Sequence, residues 1–187
     1  MTRIIALSIL FLVSCATEYP SIPTSSKQSR FPRLSSNDKD DIFVTWFEEI
    51  DSTDWSLRGS IFSKNKWSSP MTISSDQPYF INWADFPSLN YIKDDTLVAH
   101  WLEKSGAGTY DYDVHLSFSF NEGRSWSSSQ IPHSTKVKGE HGFSSFGIGK
   151  NTHDLVWIDP HLEITVRAGH SFFTLSCLGD IHIHIAY

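Results

Sequence analysis

The chain has 187 residues, with 21 acidic and 15 basic side chains and a formal charge of −6. With no basic cluster, that balance argues against nucleic acid as a partner, because recognition of a phosphate backbone is mainly electrostatic. Two cysteines, Cys15 and Cys177, are too few for a cysteine-based metal cluster, and neither a metal nor another cofactor is expected.

Met1-Thr2-Arg3 leads into an apolar run over residues 4–13. A bilayer core needs roughly 20 helical residues, so this run is too short to span. One positive residue ahead of a short apolar stretch is the pattern of an export signal. The run ends in Leu12-Val13-Ser14-Cys15, which resembles the lipobox of bacterial lipoproteins. The resemblance implies cleavage before Cys15 and a diacylglyceryl thioether on its thiol. Residues 1–14 are then a lipoprotein signal, and Cys15 takes membrane lipid as its partner. Ala16 implies an outer-membrane destination, which places the chain in the cell envelope. A lipidated Cys15 leaves Cys177 without an intrachain disulfide. An ordinary signal peptide with an accidental cysteine is the alternative reading.

Residues 15–38 are rich in Ser, Thr and Pro, with Pro20, Pro23 and Pro32, and read as a flexible tether. Residues 39–160 alternate apolar runs with polar turns and hold no amphipathic helical pattern. The clearest expected strands are 42–47, 57–62, 96–102, 114–120 and 154–158. Seven Trp and thirteen Phe supply flat side chains that fill space between twisted sheets. The expected class is all-β. Residues 161–187 form an atypical tail. In it His182 and His184 share one face of a strand pattern but lack a neighbouring third ligand, and they read as strand surface or unfolded tail.

An internal repeat sharpens this reading. Val44-Thr45-Trp46-Phe47-Glu48 recurs as Ala99-His100-Trp101-Leu102-Glu103, and a third copy is Leu155-Val156-Trp157-Ile158-Asp159. The tryptophans are 55 and 56 residues apart. Trp67-Ser68-Ser69 matches Trp126-Ser127-Ser128 in the same way. Repeats of this length suit four-stranded propeller blades, and aromatic strands of a β-sandwich are the alternative source of such a match.

Ser119-Phe120-Asn121-Glu122-Gly123-Arg124-Ser125-Trp126 resembles the Asp-box turn of sialidase-like β-propellers. Ser119, Gly123 and Trp126 fit the pattern in register, and Asn121 stands where Asp is usual. A short side-chain carbonyl there still accepts turn amides, and Gly123 permits left-handed backbone. The wider resemblance is to exported bacterial proteins with BNR-type repeats. It implies a partial sialidase-like propeller of about two to three blades. It also implies that the Asp box is peripheral and speaks for architecture.

In that family an arginine triad binds the sugar carboxylate, a Tyr with a Glu is the nucleophile, and an Asp is the acid/base. Phe31-Pro32-Arg33-Leu34 makes Arg33 a loose counterpart of the first arginine, and the remaining arginines do not complete a triad. Asp85, between Trp83-Ala84 and Phe86-Pro87, reads either as an acid raised by aromatic surroundings or as the cap of a tight loop. Glu140-His141-Gly142 is a polar cluster beside a glycine that allows close approach. Arg33, Asp85, Glu140 and His141 are therefore the candidate catalytic residues, whereas His133 reads as a loop histidine. About 130 residues carry the resemblance, fewer than a closed ring needs, so either a truncated product or self-association that completes the ring is expected. The functional expectation is a surface lipoprotein that binds glycans without full catalytic machinery. An exo-sialidase or other glycoside hydrolase, and an inactive truncated fragment, are the alternatives.

Overall fold

The computed structural model describes residues 20–22, 24, 28–93, 95–133, 135–136, 138–142, 144–148, 153–158, 164–168, 171–175 and 181–184. The expected signal and both cysteines lie outside them. The described residues form β-strands and no helix, so none is long and apolar enough to cross a membrane. The class is all-β.

The strands fall into three sheets. The first contains β1 (Ser29–Ser36), β2 (Ile42–Glu49), β3 (Trp55–Ser63), β4 (Lys66–Trp67) and β5 (Met71–Ser75), with both β4 and β5 paired to β3. The second is the antiparallel meander of β6 (Ser88–Lys93), β7 (Thr96–Lys104) and β8 (Tyr112–Ser119). The third has the order β12-β11-β13-β10-β9, built from β9 (Ser145–Ile148), β10 (His153–Ile158), β11 (Ile164–Ala168), β12 (Ser171–Leu175) and β13 (Ile181–His184). Among the described residues the strands pair antiparallel except for a parallel contact of β11 with β13, and an isolated parallel bridge joins Tyr112 to Glu140. The tail histidines sit in β13, with His182 opposite Trp157 and His184 opposite Leu155 of β10.

Strand alternation explains why the second sheet is buried on both faces. In β7, Leu97, Ala99 and Trp101 point into a core shared with Phe43, Phe47 and Leu57 of the first sheet. Val98 and Leu102 belong to a second core with Tyr112, Val114, Leu155 and Trp157. Apolar residues on both faces give the near-continuous apolar run of β7. Polar ties reinforce the junction of the first two sheets: Thr45 Oγ1 donates to the Pro87 carbonyl at 3.0 Å, and the Ser35 hydroxyl donates to the Leu89 carbonyl.

Strand β1 lies within the stretch 15–38 expected as a tether. It pairs with β2 from Ser29 opposite Glu48 to Ser36 opposite Ile42, with an irregularity between Arg30 and Arg33. Its exposure alternates along the strand, as expected of an outer strand with one face against the protein. Two of its three half-buried positions are polar, Arg33 and Ser35, while apolar Leu34 faces outward, so the sequence carries no apolar alternation here.

The repeat seen in the sequence recurs bond for bond. Trp46 Nε1 donates to Glu48 at 3.1 Å, and Trp101 Nε1 donates to Glu103 at 2.7 Å. Opposite these tryptophans, Arg58 lies 3.8 Å from Glu48 and His115 lies 3.5 Å from Glu103. Ser60 Oγ donates to the Ser68 carbonyl and Ser117 Oγ to the Ser127 carbonyl, at 2.9 and 2.8 Å. The amides of Ile61 and Phe118 donate to the hydroxyls of Ser68 and Ser127, respectively. Two sheets that solve the same hydrogen-bonding problem with residues at the same offsets are structural copies of one unit.

The Asp-box turn follows β8. Ser119 Oγ accepts from the Gly123 amide at 2.7 Å, and Asn121 Oδ1 accepts from the Ser125 amide at 2.9 Å. Asn121 Nδ2 also donates to Ser125 Oγ at 2.8 Å. Gly123 has φ of +82°, and a Cβ there would come within 2.3 Å of Met71 Sδ. Backbone strain and a forced shift of Met71 act together, so Gly123→Ala is expected to cost about 1–3 kcal/mol. Denaturant melts measure this, and coincident midpoints for the two chains would contradict it.

Candidate functional site

Strand β8 begins the site. Among the described residues its outward edge has no regular fourth strand, and the segment after Trp126 closes it piecemeal. Gln130 forms an antiparallel bridge with Leu116, exchanging two 2.8 Å backbone hydrogen bonds. Pro132 then ends the ladder, since proline has no amide hydrogen to donate. Side chains take over from there. His133 Nε2 accepts the Val114 amide at 3.0 Å, and His141 Nδ1 donates to the Tyr112 carbonyl at 3.0 Å. The Tyr112 amide donates to the Gly139 carbonyl at 3.2 Å. The two imidazoles stack with centroids 3.8 Å apart and planes within 5°. Buried backbone groups need partners, and here two histidines provide them.

This closure carries Glu140 and Gly142 to Tyr112. The Tyr112 hydroxyl donates to Glu140 Oε1 at 2.9 Å. Gly142 packs so closely that a Cβ on it would lie 2.4 Å from Tyr112 Oη and 3.2 Å from Asp85 Oδ1. Only glycine allows the loop to seat here. Burial, the hydrogen bond to Glu140 and the negative charge of Asp85 together push the Tyr112 phenol far above its ordinary range. Phe80 stacks on the Tyr112 ring at 4.0 Å.

Asp85 reaches the cluster from a loop that Asn82 caps. Asn82 Oδ1 accepts the amides of Ala84 and Asp85 at 2.7 and 2.9 Å, while its Nδ2 donates to Asp85 Oδ2 at 2.9 Å. Asn82 thus caps this loop, and the buried Asp85 carboxylate is bonded to it and lies beside Tyr112 and Gly142. The same turn turns Trp83 outward, with 83% of its surface exposed. Arg33, on β1, is half-buried and donates to the Ser144 carbonyl at 3.4 Å. Burial lowers its pKa below the usual arginine value.

The four candidates from the sequence are therefore brought to one region, though not as an acid/base pair. Glu140 engages the hydroxyl of Tyr112 and His141 its carbonyl. Tyr112 was not singled out in the sequence, where it looks like any aromatic residue opening a strand. Its only signal was the Tyr-Asp-Val context. His133 lies in a loop, as its sequence suggested, but beside His141 and Asp113. Ligand atoms of Asp113, His133 and His141 lie within 4.8 Å of one another. Cys15 lies outside the described residues.

The chain matches no protein-family model, no curated protein and no solved structure.

Beneath the site, His100 is fully buried on β7. It hydrogen-bonds Ser88 Oγ through Nδ1, and Asn90 Nδ2 donates to the same hydroxyl at 2.9 Å. Burial first, and the Arg33 charge second, depress its pKa from 6.5 to about 3, against a smaller upward pull from a backbone hydrogen bond to Ser144. The unfolded chain therefore binds a proton that the folded chain refuses between these two values. Stability is intact above pH 6.5 and falls as pH drops toward 3, by on the order of 3 kcal/mol at pH 4. Thermal melts from pH 7 to pH 4 should show a steep loss that is shallower in His100→Gln. Equal pH slopes in the two chains would contradict this assignment.

Proposed function

We propose that the chain is a lipid-anchored cell-envelope protein that binds glycans through the surface around Trp83, on two to three blades of a sialidase-like propeller. The blade reading is supported by the paired Trp-to-Glu, serine and turn hydrogen bonds of the first two sheets. The anchor reading rests on Leu12-Val13-Ser14-Cys15.

The observation that carries the binding reading is Trp83, 83% exposed two residues before Asp85, whose carboxylate lies with Tyr112 and the half-buried Glu140 around Gly142. An indole held outward on a capped loop offers a flat apolar face with a polar N–H at its edge to a ligand. A sugar ring has an apolar face to lay on the indole and hydroxyls for the half-buried Glu140. Hydrolysis is less favoured. Tyr112 is 1% exposed, and its phenol is pushed away from the ionised form that a nucleophile needs. One half-buried arginine is also a weak clamp for a sugar carboxylate. Among the alternatives, hydrolysis draws support from Asp85 and Glu140 both lying against Tyr112.

One experiment reads both halves of the proposal. The chain is produced in a host that processes lipoproteins, and its membranes are separated and then solubilised over an array of neutral and sialylated oligosaccharides. The chain is expected in the membrane fraction and Cys15→Ala in the soluble fraction. Retention on the responding glycans should fall at least tenfold in Trp83→Ala. No retention on any glycan would contradict the binding reading. Release of sialic acid from a fluorogenic glycoside, lost in Asp85→Ala, would replace it with hydrolysis.

A further inference from the structure

We infer that Asp113, His133 and His141 form a binding site for a divalent transition metal ion of the zinc class, which clamps the segment 130–142 onto the edge of β8. The inference stands independently of glycan binding. Three chain segments converge on this point, and their ligand atoms lie within 4.8 Å of one another. Two imidazoles and one carboxylate form a borderline donor set, which suits zinc, cobalt or nickel and is poor for calcium or magnesium.

Each ligand is prepared to a different degree. The Asp113 carboxylate is 3% exposed, and its Oδ1 is buried with no hydrogen-bond partner among the described residues, facing His141 Nδ1 at 3.4 Å. A buried carboxylate oxygen in that condition is costly unless a cation answers it. Lys138 Nζ stands 3.6 Å from the other oxygen, Oδ2, on a side chain that is half in solvent. His141 is wholly buried, and it donates Nδ1–H to the Tyr112 carbonyl. That bond places a proton on Nδ1, the nitrogen that faces Asp113 Oδ1, so an ion between the two requires His141 either to give up that proton or to turn Nε2 toward Asp113.

His133 must do more. Its Nε2 lone pair accepts the Val114 amide, and its ring lies parallel to that of His141. A metal sits near the plane of each imidazole it binds, so coordination requires His133 to release Val114 and tilt out of the stack. His133 is half-buried in a loop, with its ring against His141 on one contact and tilted 6.0 Å from the Trp157 ring on another. Tetrahedral ligands at zinc distances lie about 3.4 Å apart, so closing the cluster needs movements of about 1 Å. The 3.0 Å bond from the Val114 amide is thereby exchanged for a metal–nitrogen bond. His141 adjoins Glu140, so a bound ion would also fix the acid of the Trp83 surface.

The test uses the full chain, stripped with chelator and titrated with Co2+ alone. The account predicts one equivalent bound, with the visible absorption of a low-coordinate cobalt site that Zn2+ abolishes and Mg2+ does not. His133→Gln and Asp113→Asn should each weaken binding at least tenfold, whereas a His182→Gln/His184→Gln chain should bind as the parent does. Because Asp113→Asn touches a buried site, histidine NMR of the unmodified chain provides the second reading: Zn2+ should shift the ring nitrogens of His133 and His141 together. Absence of the cobalt spectrum overturns the inference. So does a spectrum that survives His133→Gln, vanishes with His182 and His184, or leaves both ring signals unmoved.

Discussion

The unsatisfied outer edge of β8 is the constraint on which the site depends. In the first sheet the equivalent edge belongs to β3, and β5 covers it from Ser56 opposite Ser75 to Gly59 opposite Met71. In the second sheet the covering segment starts correctly at Gln130, opposite Leu116, and then meets Pro132. A proline in that position cannot supply the next ladder bond. The backbone groups of Val114 and Tyr112 still have to be satisfied, because they lie against the second core with Leu155 and Trp157. Side chains of His133 and His141 satisfy them instead.

This substitution turns an architectural repeat into a local site. A regular strand would have placed alternating side chains on two faces. The irregular segment instead wraps Tyr112, bringing Glu140 to its hydroxyl and Gly142 against its ring, with Asp85 arriving from the β5–β6 connection. Irregular backbone held by a rigid sheet is where binding residues concentrate. The two repeats thus differ where function is proposed and agree where packing is at stake. Trp46 and Trp101, Glu48 and Glu103, Ser60 and Ser117 keep the same partners in both.

Much of the scaffold was legible in the sequence because it follows from period-two patterning and a repeated Trp-x-Glu. The five clearest runs lie in β2, β3, β7, β8 and β10, and the Asp-box residues make the turn bonds their types allow. Strand β1 was hidden because it turns Arg33 and Ser35 inward and Leu34 outward, in a stretch whose composition matches a tether. Of the site, Arg33 stood out through its resemblance to a family motif, Asp85 through its aromatic flanks and Glu140-His141 as a polar cluster beside a glycine, yet nothing in their spacing revealed Tyr112 as the neighbour of Asp85, Glu140 and His141. Tyr112 is buried, and its meaning comes from loop residues 28 and 30 positions away. His133 and Asp113 were invisible as a pair for the same reason: the break at Pro132, not sequence proximity, folds one onto the other.

The most direct test of this account is amide hydrogen exchange along β8 in the presence of chelator. The amides of Tyr112, Val114 and Leu116 all point to the outward edge and donate to Gly139, His133 and Gln130, respectively. All three should exchange slowly, and His133→Ala should release Val114 while Leu116 stays protected. Rapid exchange at Tyr112 and Val114 beside a protected Leu116 would mean that the segment 130–142 does not close the edge, and the site built on that closure would fall with it.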